Sequence, residues 1–288
     1  MDRNSAEPRR WGVPGTLRAT ELTGAPLAKT LRDGVARVEK VSSRLPAPLR
    51  VIGGWMASSM KWGLGSVAGA DTGDRVIGLT FDDGPDPNQT PAILDALADH
   101  GVRATFFMLA ERAEAHPELA RRVLHEGHEA ALHGNRHDIL TRLRLTELVD
   151  CVWVGKRRLR RVLGEPITFF RPPYGGQNLR SYLTARLSGM EVVVWSAWAH
   201  DWEDLTGAEI VDSALARAAP GKILLLHDSF VPHPDRPDAP SPRFDRPLAV
   251  RQILEGLAMS SLQPVPVGEL MGRGRRRRSI WFESGAAY

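Results

Sequence analysis

One cysteine, Cys151, occurs in 288 residues, so an internal disulfide is excluded. It falls in an apolar, helix-like series with Leu148, Val152, Gly155, Leu159 and Val162, which makes it core filler and not a nucleophile. No apolar run reaches the roughly 18 residues that a membrane span needs. Met1 is followed by polar, Pro-containing sequence without the early apolar stretch of a secretory signal. Those absences give the chain as written as cytoplasmic, or as peripheral to a membrane. Basic charge is also scarce in the middle: residues 71 to 272 hold 22 Lys or Arg against 28 Asp or Glu. With no basic stripe there, nucleic acid is not expected as a partner.

Positive charge collects at the ends, with 11 Lys or Arg against 5 acids in residues 1 to 70 and five Arg against one Glu in the last sixteen. The flanks could therefore touch an anionic membrane or cell-wall surface. Residues 1–74 read as a basic extension, partly helical or mobile, 75–270 as a catalytic domain, and 271–288 as an Arg-rich tail that solvent is expected to cover. Ile52, Trp55, Met56 and Trp62 have helix-like spacing, which suits packing against the domain or, against the weakening of four nearby glycines, an interfacial helix.

The most informative stretch is Leu79-Thr80-Phe81-Asp82-Asp83-Gly84-Pro85, where an apolar strand breaks into a Gly-Pro turn with two carboxylates side by side. At a strand end the alternation of side chains relaxes, so both can face one pocket. Two like charges so close suit a divalent cation: one carboxylate binds it and the other takes a proton from water. His133-Gly134-Asn135-Arg136-His137 adds histidines at i and i+4, which would share one face of a helical turn and reach one metal. Together these give a facial set of Asp83, His133 and His137, with coordination positions left for water and substrate.

Three further segments end apolar strands with polar groups. They are Thr168-Phe169-Phe170-Arg171-Pro172-Pro173-Tyr174-Gly175-Gly176, Val192-Val193-Val194-Trp195 followed by Asp201-Trp202, and Ile223-Leu224-Leu225-Leu226-His227-Asp228. In parallel α/β barrels active sites are built at that end of the strands. His100, His116, His125 and His128 read as ordinary helix or turn residues, His200 as a possible lining of the cleft, and His233 as part of a Pro-rich loop. Asp228 reads as a cap for the following segment, and Trp153, Phe169 and Trp195 as core.

In this order the five segments resemble the polysaccharide deacetylases, the fourth family of carbohydrate esterases, over roughly residues 75 to 270. The resemblance implies a distorted (β/α)7-type barrel, here with an N-terminal extension, and metal-dependent removal of acetyl groups from N-acetylated amino sugars in a glycan or glycoconjugate. It makes Asp82 the base, oriented by Arg171, and Asp83, His133 and His137 the metal ligands. His227 becomes the acid, tuned by Asp201. The Tyr174 backbone amide would hold the oxyanion, and Trp202 and Leu225 would wall the acetyl pocket. Two imidazoles and a carboxylate suit one zinc ion, and cobalt, nickel or iron accept the same donors. Two positions depart from the family pattern: Gly134 stands where Ser or Thr is frequent, and Trp198 where an additional Asp is frequent.

Alternating strand and helix patterns support βα units, with strands expected at 76–81, 104–109, 129–132, 168–170, 191–195, 222–226 and 263–266. The Pro-rich stretch Val231 to Pro247 is long enough to form a rim of the substrate groove. A C–N hydrolase acting on a non-sugar amide or cyclic imide would use the same residues. A glycan-binding module without turnover would have no need of base, acid and open metal together.

Overall fold

A computed structural model describes residues 65–279 other than 237 and 239; the expectations for residues 1–64 lie outside that range. In chain order, β1 (Ser66–Asp71), β2 (Val76–Asp82), α1 (Thr90–Asp99), β3 (Thr105–Leu109), α2 (Ala110–Ala115), α3 (Pro117–His125) and β4 (Glu129–Gly134) come first. Then follow α4 (Leu145–Val149), a π turn (Asp150–Val154), α5 (Gly155–Leu163), β5 (Phe169–Phe170), α6 (Leu179–Leu187), β6 (Glu191–Val192) and β7 (Ala197–Trp198). The chain continues through α7 (Gly207–Arg217), β8 (Ile223–His227), α8 (Arg246–Met259), β9 (Gln263–Val265), α9 (Val267–Gly272) and β10 (Arg275–Ser279).

β2 and β3 are buried at every position, as strands must be when a parallel sheet is covered on both faces. The sheet runs β6-β5-β4-β3-β2-β8-β7, with β9 also on β2, and its pairs are parallel. Its two edges, β6 and β7, lie on one short stretch of chain. Val193 N donates to Phe170 O at 2.9 Å and Ser196 N to Ile223 O at 3.0 Å, so that stretch leaves β5 and joins β8. The sheet thereby curls into a barrel, and with β6 and β7 taken as one interrupted strand the expected seven are present.

Alternation along each strand divides the core in two. Ile77, Leu79 and Phe81 face the helices, with Phe81 stacked on Phe106 at 5.0 Å between ring centres. Val76, Phe107, Ala131, Val193 and Ile223 belong to a second cluster in the barrel interior. Thr80 and Asp82 share the parity of Val76 and so point inward, toward the site.

Two segments differ from expectation. Ser66–Asp71, within the stretch read as an N-terminal extension, form strand β1. The arginines read as a solvated tail form β10, which pairs antiparallel with β1 from Ser66↔Ser279 to Asp71↔Arg275. The reason is Glu191, a largely buried carboxylate reached by Arg186 at 2.6 Å, Arg278 at 2.9 Å and Arg276 at 3.0 Å. Burial alone would raise its pKa, but Arg278 and the other two guanidiniums hold it below the usual range. Among the described residues, no helix is long and apolar enough to cross a membrane.

Candidate active site

The strand-to-turn junction after β2 is fixed from beneath. Asp83 adopts φ +80°, and the next N–H, that of Gly84, donates to Asp228 Oδ1 at 3.0 Å. A β-carbon on Gly84 would lie 2.0 Å from Asp228 Oδ2, so this position requires glycine. Asp228 also accepts from Thr90 Oγ1 at 2.6 Å, and its own N–H donates to the Asp82 carbonyl at 3.2 Å. It therefore braces the Asp82-Asp83 turn instead of capping the segment after it. Full burial pushes its pKa up to about 7.

His133 and His137 converge, with ring centres 5.1 Å apart, but not on a helical turn as their spacing suggests. His133 belongs to the end of β4, and His137 to the loop beyond it. Gly134, at φ +118°, turns the chain between them. A β-carbon there would meet Arg136 O at 2.8 Å and Cys151 Sγ at 3.0 Å. The serine or threonine frequent in the family pattern therefore has no room on this backbone. Cys151 is wholly buried, as its apolar setting implies, and burial raises its thiol pKa to about 12.

Asp83 Oδ1 lies 3.1 Å from His137 Nε2 and 3.4 Å from His133 Nε2. His133 Nδ1 is 2.9 Å from the Arg171 carbonyl, so that nitrogen carries a proton, and in a metal-binding tautomer Nε2 offers the lone pair. Asp83 Oδ1 is itself buried and accepts no hydrogen bond. A carboxylate oxygen facing an imidazole lone pair needs a cation between them. Asp83, His133 and His137 also place their donor atoms within 4.8 Å of one another, so this donor set fits a divalent metal. Without an ion, burial raises the Asp83 carboxyl, but a protonated His137, then the contacts with both imidazoles, hold it well below the usual range.

Asp82 is clamped separately. Arg171, wholly buried, donates through Nη1 to Asp82 Oδ1 at 2.6 Å and to Thr80 Oγ1 at 2.8 Å, and its guanidinium lies 4.0 Å from the centre of the Phe107 ring. Burial lowers the guanidinium's pKa, and Asp82 opposes that. On the neighbouring strand His227 is the register partner of Asp82, and it shares an inward parity with Leu225. Leu225 is buried, and Trp202 approaches the His227 ring edge-on at 5.5 Å.

His227 Nδ1 sits 2.8 Å from Asp201 Oδ1, which assigns the proton on Nδ1 to that contact. Asp201 Oδ2 accepts from the His227 amide and from Arg246 Nη1, both at 2.8 Å. Burial raises the Asp201 carboxyl, and His227 and Arg246 more than offset it, leaving it below its ordinary value. Arg246 went unrecognised in the sequence. Its signal was an arginine in the first turn of a helix, where the dipole disfavours a cation.

Tyr174 stands in a 3₁₀ turn at φ +58°. Its ring packs edge-on against His137 at 4.2 Å and His233 at 4.7 Å. The loop after β8 thus reaches the candidate metal-binding group, and Arg142 ties it down through Asp235 at 2.6 Å. Trp198, at the second departure, donates to His200 Nε2 at 2.7 Å, and His200 Nδ1 lies 2.9 Å from Glu203. Trp153, read as core, is 47% exposed because the π turn carries it to the surface.

Comparison with known proteins gives the family. The polysaccharide deacetylase family model matches residues 69–193. A peptidoglycan-N-acetylglucosamine deacetylase of Bacillus cereus is 34% identical over 201 residues, 69% of this chain and 89% of the relative. A chitooligosaccharide deacetylase of Bradyrhizobium sp. is 39% identical over 166 residues, 57% of this chain and 76% of the relative. The peptidoglycan-N-acetylmuramic acid deacetylase PdaC of Bacillus subtilis is 38% identical over 170 residues, 58% of this chain but 35% of that longer protein. The solved structure of peptidoglycan deacetylase PdaC from Bacillus subtilis superposes with TM-score 0.61 at 33% identity, covering 70% of this chain and 92% of that one. With the five motifs, the barrel and two relatives matched over at least three-quarters of their length, the chain belongs to the polysaccharide deacetylase family.

Proposed function

We propose that this enzyme hydrolyses the acetamide of N-acetylated amino sugars in a glycan or glycoconjugate, releasing acetate and leaving a free amine. The observation that carries the proposal is that Asp82 and His227 are register partners on adjacent strands, each held by its own clamp, beside the Asp83, His133 and His137 donor set. An acetamide resists attack because nitrogen deactivates its carbonyl and the amine departs poorly unless protonated. A divalent cation held by Asp83, His133 and His137 would supply Lewis acidity toward the carbonyl and acidify water.

The protein's own groups do the proton work. Asp82, fixed by Arg171, accepts a proton from the attacking water, and the C–O bond forms as the carbonyl π bond opens. The Tyr174 backbone N–H is the donor assigned to the resulting oxyanion. His227, whose Nδ1–H is committed to Asp201, donates from Nε2 to the amine nitrogen as the C–N bond breaks. Leu225 and Trp202 wall the acetyl methyl and limit water. A non-catalytic sugar-binding module would not need two buried and separately clamped proton-transfer groups.

The test is a panel measuring acetate released from chitooligosaccharides, peptidoglycan fragments and lipid-linked N-acetylglucosamine, alongside ring opening of cyclic imides, with elemental analysis of the purified protein. Acetate from at least one sugar substrate, with one divalent metal per chain, is expected. Consumption of an imide with no acetate from any sugar would overturn the reading.

A further inference from the structure

Eight large hydrophobic side chains are exposed among the described residues, and six of them lie on two neighbouring segments. Leu145 (57% exposed), Val149 (39%) and Trp153 (47%) recur every four residues along α4 and the π turn. Leu179 (55%), Leu183 (37%) and Leu187 (37%) do the same along α6. Side chains four apart stand above one another on a helix, so each set forms a ridge about 12 Å long. The ridges are fastened side by side: Trp153 Nε1 donates to Thr184 O at 2.9 Å, Lys156 Nζ to Ser188 O at 2.8 Å, and Arg180 Nη2 to Leu143 O.

Charge around the ridges is one-sided. Segments 144–163 and 179–187 hold eight Lys or Arg (Arg144, Lys156, Arg157, Arg158, Arg160, Arg161, Arg180, Arg186) and two acids, Glu147 and Asp150, within a stretch, 71–272, whose acids outnumber its bases by 28 to 22. Arg157, Arg160 and Arg161 are exposed. No ion pair engages them among the described residues, whereas Arg144, Arg158 and Arg186 each hold a glutamate. Apolar ridges beside unpaired arginines complement a surface that is anionic outside and apolar just beneath. A second copy of the chain would bring like charge against like charge, and a soluble polyanion would leave the leucines uncovered.

We propose that this face docks on an anionic lipid bilayer, with Trp153 and the leucines entering the headgroup boundary and Arg157, Arg160 and Arg161 meeting the lipid phosphates. Leu145 follows the loop that carries His137, and Leu179 follows the Tyr174 turn, so both ridges begin just after segments that carry the site. The inference does not depend on the deacetylation reading, because it is tested by binding alone.

The test is co-sedimentation of the full chain with vesicles of phosphatidylcholine alone and of phosphatidylcholine mixed with phosphatidylglycerol. Two variants are compared with the parent: L145Q/L179Q/L183Q, and R157Q/R160Q/R161Q. All six positions are exposed and lie outside the catalytic groups, so acetate release from a soluble substrate and thermal melting should match the parent. The parent should bind the anionic vesicles, bind neutral ones poorly, and dissociate as salt rises. The arginine variant should lose about a hundredfold in vesicle affinity, and the leucine variant should also be weakened. Vesicle binding unchanged in both folded variants, which would place the contact in another part of the chain, overturns the proposal. So does a parent that binds neither vesicle, including one that binds an acidic protein instead.

Discussion

Arg246 Nη1 lies 2.8 Å from Asp201 Oδ2, while His227 Nδ1 lies 2.8 Å from Oδ1 of the same carboxylate. Neither oxygen of Asp201 can turn away without breaking a charged contact. The ring of the proposed acid is thus held through Asp201 by a second residue, Arg246, which lies 45 positions along the chain from that carboxylate. Arg246 is a positioning residue: it touches Asp201, the Asp201 carbonyl and the His227 carbonyl, and it lies on the far side of the carboxylate from the imidazole.

Removing one partner from a buried ion pair strands the other charge, at a cost of about 3–5 kcal/mol. Arg246→Gln should therefore lower the unfolding free energy measured by urea titration by that amount and flatten the pH response of turnover. Arg246→Lys, which keeps the charge but loses the guanidinium fork, should fall between Gln and the parent. A Gln variant as stable as the parent would show that the pair is not what holds Asp201.

The two adjacent aspartates should separate cleanly. Asp83→Ala removes one of three donors, so metal content by elemental analysis should collapse together with acetate release. Asp82→Asn leaves the donor set intact and should keep the metal, while turnover drops by about 10²–10⁴-fold as proton transfer is lost. Full activity in Asp82→Asn would reassign the base. Metal retained in Asp83→Ala would move the cation elsewhere.

The sequence revealed much of this site because strand ends announce themselves. Asp82, Asp83, Arg171 and His227 each end or follow an apolar run, and the seven long-range strand positions follow from runs such as Ile223 to Leu226. Less legible were features set by tertiary partners. The spacing of His133 and His137 fits a helical turn, yet Gly134 at φ +118° brings them together across a strand end. Nothing local distinguishes Arg276 and Arg278 from a solvated tail, because the group that orders them, Glu191, is some 85 positions away. Trp153 looked apolar enough for the core until a π turn rotated it outward. In the first and third cases an irregular backbone conformation, and in the second a partner distant in sequence, overrode the local pattern.

Gly134 gives a test in which a change toward the family pattern should do harm. Gly134→Ser places a β-carbon 2.8 Å from Arg136 O in a backbone region that side chains disfavour. Strain of about 1–3 kcal/mol follows, and relief of it must move His133 or His137. Melting temperature and metal affinity should both fall. An unchanged metal affinity would mean the loop can reshape without disturbing its imidazoles.

His227 supplies the pH prediction. Burial by itself pushes its pKa down, but the Asp201 carboxylate 2.8 Å away, then the charges of Asp83 and Asp82, more than reverse that and raise it to about 9. Unfolded histidine titrates near 6.5. The folded state therefore binds the proton more tightly, and the resulting stability is fully present below about 6.5 and lost as pH rises through about 9. The melting temperature of the metal-free protein should accordingly decline across that window. A cation bound by Asp83, His133 and His137 would offset the carboxylates' pull, so the basic limb of kcat/KM should lie below the metal-free value while still reporting loss of the acid. Asp201→Asn removes the largest raising influence and leaves burial in place, so its basic limb should shift to lower pH, with kcat falling more than KM changes. A basic limb that stays in place in Asp201→Asn would mean that another group, and not His227, protonates the departing amine.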